Sequence, residues 1–110
     1  MKNILPAFLA AAMCFAADAP KTYTGIVTDD MCAGNHAAMG GKDPVKCTNE
    51  CIKTMGAKYA ILVKADPVHP VYYVLSDQLS AANFVGKKVT VNGSIDAKNV
   101  LQVTSMAAAK

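Results

Sequence analysis

The sequence predicts a β-rich α+β domain, built as a five-stranded OB-like barrel with one amphipathic helix after strand one and a short helix between strands three and four. Three observations predict this class. Five short segments are rich in β-branched and aromatic residues or alternate between apolar and polar side chains. One longer segment has the apolar period of a helix. Glycine, proline and aspartate separate these segments.

The predicted strands are short, and turn residues lie between them. Residues 76–85, between the third and fourth strands, hold one or two helical turns before Gly86. Gly93 inside the fourth strand suits the bend of a barrel wall. A ferredoxin-like sandwich is the competing architecture, although it would need a longer second helix. The five strands are predicted at residues 21–28, 58–64, 71–75, 87–95 and 100–105.

One amphipathic helix is predicted after the first strand. Asp43 is a strong N-cap, Pro44 fits the first helical position, and Gly56 ends the segment. At about 100° per residue, one face is polar and charged and the other is apolar. The predicted buried face consists of Val45, Cys47, Cys51, Ile52 and Met55.

The N-terminus has the pattern of a secretory signal peptide. Lys2 supplies a positive charge, and residues 4–17 are almost wholly apolar. Because this run is shorter than a membrane-spanning helix, residues 1–17 are predicted to be removed on export, and the protein is expected to be secreted or periplasmic. Lipidation at Cys14 is the alternative, although Met13 is bulkier than such sites accept.

The rest of the chain has the length of one domain. Residues 18–106 of the 110 are predicted to form a single secreted OB-like domain without a transmembrane span, and residues 107–110 a frayed tail. All eleven basic residues are lysines, and they are scattered along a chain of net charge +3. Arginine is the usual reader of phosphate and guanine, so nucleic acid is not an expected partner. The expected partner is an unknown small ligand or an extracytoplasmic protein.

A cluster of sulfur and imidazole side chains is the main candidate site. Its spacing is C-x3-H-x10-C-x3-C, and its members are Cys32, His36, Cys47 and Cys51. Three thiolates and one imidazole are a recognised tetrahedral zinc set. Because residues four apart share one helix face, Cys47 and Cys51 point at a common centre. Copper(I) is also suited to this region, because soft thioethers lie beside the thiols at Met31, Met39 and Met55.

Two other interpretations of the cysteines stay open. Export exposes thiols to oxidation, which favours a disulfide from Cys32 to Cys47 or Cys51 and leaves one cysteine over. A bridge between Cys47 and Cys51 is disfavoured, because side chains stacked along a helix run parallel. The chain is then a disulfide-stapled ligand- or protein-binding domain without metal. In the third interpretation it is a periplasmic thiol oxidoreductase, with His36 activating Cys32.

The other polar and aromatic residues favour structural roles. Asp29 and Asp30 are expected at a solvated strand end, and His69 in an exposed loop. No Ser-His-Asp set, glycine-rich phosphate loop or carboxylate pair is visible in the sequence, so a binding or structural module is predicted rather than an enzyme. The aromatic residues are expected in the core and in cross-strand pairs rather than in a stacking platform, and they are Tyr23, Tyr59, Tyr72, Tyr73 and Phe84.

The chain resembles a family of small exported bacterial proteins of unknown function in three segments, GIVTDDMCAGNH, KCTNECIKTMGAKYAILV and GKKVTVNGSI. The first fits G-x-x-[ST]-D-x-x-C and the third fits G-K-x-V-x-V-x-G. The resemblance covers most of residues 25–103 and implies a secreted β-barrel domain related in outline to periplasmic OB-fold proteins. It implies no activity. The motif positions in this chain are Cys32, Cys47, Cys51, Gly56 and Gly86.

Overall fold

The computed structural model describes residues 19–31, 43–66 and 68–110. The predicted signal segment, Cys32 and His36 lie outside these residues. The described part contains five strands, two helices and a 3-10 turn. In chain order they are β1 (Lys21–Asp29), α1 (Pro44–Thr54), β2 (Tyr59–Lys64), β3 (Val71–Leu75), α2 (Gln78–Ala81) with the 3-10 turn Ala82–Phe84, β4 (Lys88–Ile95) and β5 (Val100–Ala108).

The five strands form one mixed sheet. Their hydrogen-bonded order is β1-β2-β3-β5-β4, and β1 also pairs with β4, so the order closes into a barrel. Every pair is antiparallel except β3 with β5, which is parallel and joins Val74 to Val100 and Leu75 to Leu101. The predicted β-rich class is confirmed, with five strands, a helix after β1 and a short helix between β3 and β4.

The core lies between the strands. Alternate residues of a strand point to one face, so each strand sends every second side chain inward. Tyr23 and Tyr73 meet edge to face with ring centroids 5.7 Å apart, and Tyr59 and Phe84 also pack against the core, as predicted for these aromatics. The buried side chains of this cluster are Val27, Ile61, Leu75, Ala81, Val89, Val91 and Leu101.

Gly93 permits a close approach between β4 and β5. The pairing register shifts between Asn92 and Gly93. A Cβ atom at Gly93 would meet the carbonyl oxygen of Gln102 in β5, so a larger residue would push the strands apart. The predicted role of Gly93 in bending the wall agrees with this register shift.

Two further features stabilise the sheet: the hydrogen bonds of Gln78 and the long C-terminal strand. The Gln78 side chain donates to the carbonyl oxygens of Tyr59 and Leu75 at 2.9 and 2.7 Å, and it accepts from the Tyr59 N–H at 2.8 Å. These three hydrogen bonds attach α2 to β2 and β3. At the other end of the chain, β5 continues to Ala108, which pairs with Val89, so the strand extends two residues into the predicted tail.

Candidate functional site

Helix α1 forms where the sequence predicts it. The Asp43 carboxylate accepts a hydrogen bond of 2.8 Å from the Val45 N–H, and Pro44 occupies the first turn. Gly56 ends the helix with φ at +73°, a conformation that glycine adopts without a Cβ penalty. The Ala57 N–H then donates to the Cys51 carbonyl at 3.2 Å. Local chemistry therefore fixes both ends of the element that carries the two cysteines.

The buried face of α1 is narrower than predicted. Cys47, Thr48 and Cys51 are buried, whereas Val45 is 39% exposed and Met55 is 60% exposed. The predicted burial of Val45 and Met55 is therefore wrong. Val45 lies in the first turn of α1 and Met55 is the C-cap residue, so the fully buried part of the predicted face is its centre, Cys47 and Cys51. A helical period gives the direction of each side chain but not how far along the helix the contact extends.

Asp29 at the end of β1 is fully buried, so its predicted place at a solvated strand end is wrong. Its carboxylate accepts hydrogen bonds from the Thr48 hydroxyl at 3.3 Å and from the Met31 N–H at 3.1 Å. Buried carboxylates need such donors, because desolvation of a charged group is costly. The Asp29–Thr48 contact therefore joins α1 to β1 beside the two cysteines.

Asp30 is half-buried, so it lies closer than Asp29 to the solvated strand end predicted for both aspartates. Its N–H donates to the Lys58 carbonyl and its carboxylate accepts from the Lys58 N–H, both at 3.0 Å. These two bonds extend the pairing of β1 with β2 by one residue. Asp29 and Asp30 are neighbours in sequence, yet one is buried under α1 and the other is half-buried at the surface.

The structure brings two members of the predicted cysteine–histidine set together. Cys47 and Cys51 lie one turn apart on the same face of α1 and are 5% and 6% exposed. They pack with Ala57, and Ile52 covers this small cluster. Cys32, His36 and Met39 fall outside the described residues, and Met31 is 52% exposed. Among residues 19–31, 43–66 and 68–110, no three His, Cys, Asp or Glu side chains form a metal-sized group.

The arrangement limits the chemistry of the two sulfurs. Side chains four residues apart on a helix point in the same direction, which suits two ligands of one metal ion. The same direction is unsuited to a disulfide between them, because a disulfide needs Cβ atoms about 3.8 Å apart that face each other. The geometry within α1 therefore favours one partner shared by both sulfurs over a bond between them.

A groove lies beside β3 and the β4–β5 turn. It has a volume of about 490 Å³. Tyr72 and Tyr73 both line this groove, and Tyr72 is half-buried and pairs with Leu62 across β2 and β3, as predicted for cross-strand aromatics. Lys98 and Asn99 line it from the β4–β5 turn and were not predicted as site residues. The DAKN turn between two predicted strands was the available signal. The lining residues are Asp30, Pro70, Val71, Tyr72, Tyr73, Val74, Lys98 and Asn99.

The described part of the loop between β2 and β3 carries one histidine, which belongs to no group of metal-ligating side chains. His69 is exposed, as predicted, and its N–H donates to the Asp66 carboxylate at 3.0 Å. The Val68 N–H donates to the same carboxylate at 2.8 Å. These donors, led by that of His69, hold the pKa of Asp66 below its ordinary value.

Comparisons of this chain with protein families, with curated proteins and with solved structures find no match. The resemblance to small exported bacterial proteins therefore stays a prediction. In the part of the chain that the structure describes, no helix has both the length and the apolar character needed to cross a bilayer.

Proposed function

We propose that this chain is an exported binding module with an OB-like barrel, in which Cys32, His36, Cys47 and Cys51 bind one zinc or copper ion. The barrel class is supported by the strand order β1-β2-β3-β5-β4, by the parallel contact of β3 with β5, and by the short helix between β3 and β4. The ion joins the segment before α1 to the helix itself. The protein acts by binding a small ligand or an extracytoplasmic protein rather than by catalysis.

The observation that carries the metal proposal is the shared burial of Cys47 and Cys51 on one face of α1. A metal centre uses both sulfurs from one side, and thiolates are ligands that zinc and copper(I) prefer. A disulfide to Cys32 would use one of the two sulfurs and leave the other as a small apolar side chain. Metal binding therefore accounts for both cysteines, and a single disulfide accounts for one.

A structural metal also suits the way α1 is held. The cluster beneath the helix consists of three small buried side chains, Cys47, Cys51 and Ala57. Such a cluster removes little apolar surface from water, so it contributes little to the free energy of folding. Small domains commonly compensate for limited cores with a metal or a disulfide. Metal binding at folded ligands adds directly to stability, because the unfolded chain has no preformed site.

The test is the metal content and intact mass of the protein purified from the extracytoplasmic fraction without chelator. We expect one zinc or copper ion per chain, three alkylatable thiols after metal removal, and a lower unfolding temperature in chelator. Cys47→Ser should abolish metal binding and His36→Ala should weaken it. His69→Ala is the matched control, because His69 is an exposed histidine of the β2–β3 loop, and it should leave the metal content unchanged.

Two results would replace the metal proposal with one of its alternatives. A metal-free chain that is lighter by two hydrogens and has one alkylatable thiol is the disulfide-stapled domain. A pair that cycles between oxidised and reduced forms with glutathione, at a potential near those of exported oxidoreductases, is the thiol oxidoreductase. Sequencing of the mature N-terminus from the same preparation tests export, with cleavage expected near residue 17.

A further inference from the structure

Strand β3 has neighbours of unequal length on its two edges. It pairs with β2 from Val71 to Val74. On its other edge it pairs with β5 only at Val74 and Leu75. Within residues 19–31, 43–66 and 68–110, the first three residues of β3 therefore have no strand beside this second edge. An edge of this kind presents backbone donors and acceptors that another extended chain can use.

The backbone of Tyr72 faces this second edge. The Ser76 N–H donates to the Leu101 carbonyl at 3.0 Å, which places the polar backbone groups of Ser76 on the β5 side. Backbone N–H and C=O groups alternate between the two edges of a strand with a period of two residues. The N–H and C=O of Val74 and Tyr72 therefore point to the same side as those of Ser76. At Val74 this side is occupied by β5, and at Tyr72 no strand of the described residues occupies it and the groove lies beside it.

The groove of about 490 Å³ runs along this same edge. One wall consists of the consecutive residues 70–74, and the opposite wall is the β4–β5 turn with Lys98 and Asn99. Asp30 closes one part of the lining. The free part of β3 spans about 10 Å, since an extended chain rises about 3.3 Å per residue. It matches about three residues of a partner strand.

The turn that forms the opposite wall is held in place by Asp96. The Asp96 carboxylate accepts hydrogen bonds from the N–H groups of Val100 at 3.0 Å and Lys98 at 2.8 Å, and from the Gln102 side chain at 2.9 Å. The Asn99 N–H donates to the Asp96 carbonyl at 3.0 Å. A wall with this many internal hydrogen bonds keeps its shape without a ligand, which reduces the ordering cost of binding.

We propose that this groove binds an extended peptide segment of a partner protein, which pairs its backbone with Tyr72 along the open edge of β3. The spacing of backbone donors and acceptors on a strand edge is matched by another polypeptide strand, and not by a sugar or a nucleotide. The ionisable side chains in the lining are one carboxylate and one ammonium group, Asp30 and Lys98, together with Tyr72 and Tyr73. This balance suits a peptide with side chains of both charges and does not suit a polyanion.

The direct test modifies the peptide and leaves the protein intact. Random twelve-residue peptides displayed on phage are selected against the full chain, and the best binder is synthesised with one N-methyl group at each position in turn. We expect N-methylation to weaken binding about fivefold to tenfold at the one position whose N–H donates to the Tyr72 carbonyl, and to have little effect at the positions on either side, because the lost backbone hydrogen bond contributes about 1 kcal/mol. Equal tolerance at all positions, or no selected binder, would overturn the proposal.

The protein side of the test locates the contact. In ¹⁵N-labelled protein, the selected peptide should shift the amide resonances of Tyr72, Lys98 and Asn99. Lys98→Glu should change the affinity, whereas Lys53→Glu, at the exposed side of α1, should not. Shifts confined to α1 would overturn the proposal. A linear hexasaccharide and a ten-nucleotide oligo-dT serve as competing probes, and the proposal fails if either one binds the groove and the peptide does not.

Discussion

The barrel interior and the contact between α1 and β1 are both buried, but they are built from different side chains. Inside the barrel, seven apolar residues from the strands and α2 are at most 1% exposed. On α1, the buried side chains are Cys47, Thr48 and Cys51, and the Thr48 hydroxyl donates to the buried carboxylate of Asp29. The first region is held by apolar burial, and the second adds buried sulfur atoms and a directed hydrogen bond.

This difference has an energetic consequence. Apolar burial is non-directional and scales with area, so every buried side chain of the close-packed barrel interior adds to the free energy of folding. A buried hydrogen bond depends on distance and angle, and a lost partner leaves a desolvated polar group. We therefore expect the barrel to carry most of the unfolding free energy and α1 to open at a lower cost than the barrel.

The largest effect is expected in the barrel. Leu101→Ala should lower the free energy of unfolding by about 2–5 kcal/mol, because a fully buried side chain is replaced by a cavity. Urea unfolding measures this loss. Leu79→Ala is the matched control, since Leu79 is 87% exposed, and it should change the unfolding free energy little. Equal losses for the two variants would contradict the barrel as the main source of stability.

A smaller effect is expected under α1. Thr48→Val keeps the volume of the buried side chain but removes the hydroxyl that donates to Asp29 at 3.3 Å. We expect a loss of about 1–2 kcal/mol. Hydrogen exchange should become faster at the Cys47–Cys51 amides while the β4 amides keep their protection.

The control for this change lies on the same helix. The Thr54 hydroxyl donates to the Glu50 carbonyl at 2.7 Å, and Thr54 is exposed. Thr54→Val should therefore leave exchange at the buried turn nearly unchanged. Faster exchange throughout the barrel in the Thr48 variant would show that the two regions unfold as one unit.

The N-cap of α1 is expected to contribute about 1 kcal/mol. Asp43→Ala removes the acceptor for the Val45 N–H, and Asp43→Ser retains one. Thermal unfolding should place the Ala variant below the Ser variant, which should resemble the parent. If both variants lose the same stability, the contribution of Asp43 comes from its charge rather than from capping.

The smallest effect is expected at the β4–β5 turn and depends on pH. The Val100 N–H, followed by the Gln102 and Lys98 donors, holds the pKa of Asp96 below its ordinary value. A lowered folded pKa contributes stability that is present above the unfolded pKa of about 3.9 and is lost as the pH falls through the folded value. Asp96→Asn should therefore lower the unfolding temperature at pH 7, and the difference should shrink below about pH 4.

Unfolding temperatures of both proteins measured from pH 7 to pH 2 test this expectation. A difference that stays constant across the range would contradict the role of the Asp96 charge. If Asp96→Asn lowered the stability at pH 7 more than Thr48→Val does, the contrast between the barrel and α1 would fail. The β4–β5 turn of the barrel would then depend on directed hydrogen bonds as strongly as α1 does.

The strands and the ends of α1 could be predicted from the sequence because their signals are local. Alternation of apolar residues marks β4, and the Asp43–Pro44 pair and Gly56 mark the helix ends. The burial of Asp29 could not be predicted, because it depends on a hydroxyl nineteen residues away. The exposure of Met55 could not be predicted either, since the apolar period continues to the C-cap residue of α1, where the helix has already ended.

The candidate sites also differ in how far the sequence could predict them. The sequence predicted that Cys47 and Cys51 share one helix face, because four residues make about one helical turn. For the groove beside β3 the sequence marked the DAKN turn, but it could not predict that Asp30, Tyr72 and Lys98 meet, because they come from three separate segments.

The sequence by itself determined five strands, a capped helix and two thiols on one face, since each follows from the geometry of neighbouring residues. Only the tertiary structure decided which strand edges meet, which polar groups are buried, and where β3 lacks a neighbouring strand among the described residues. Those features depend on the distances between residues far apart in the chain, and local periodicity carries no information about such distances.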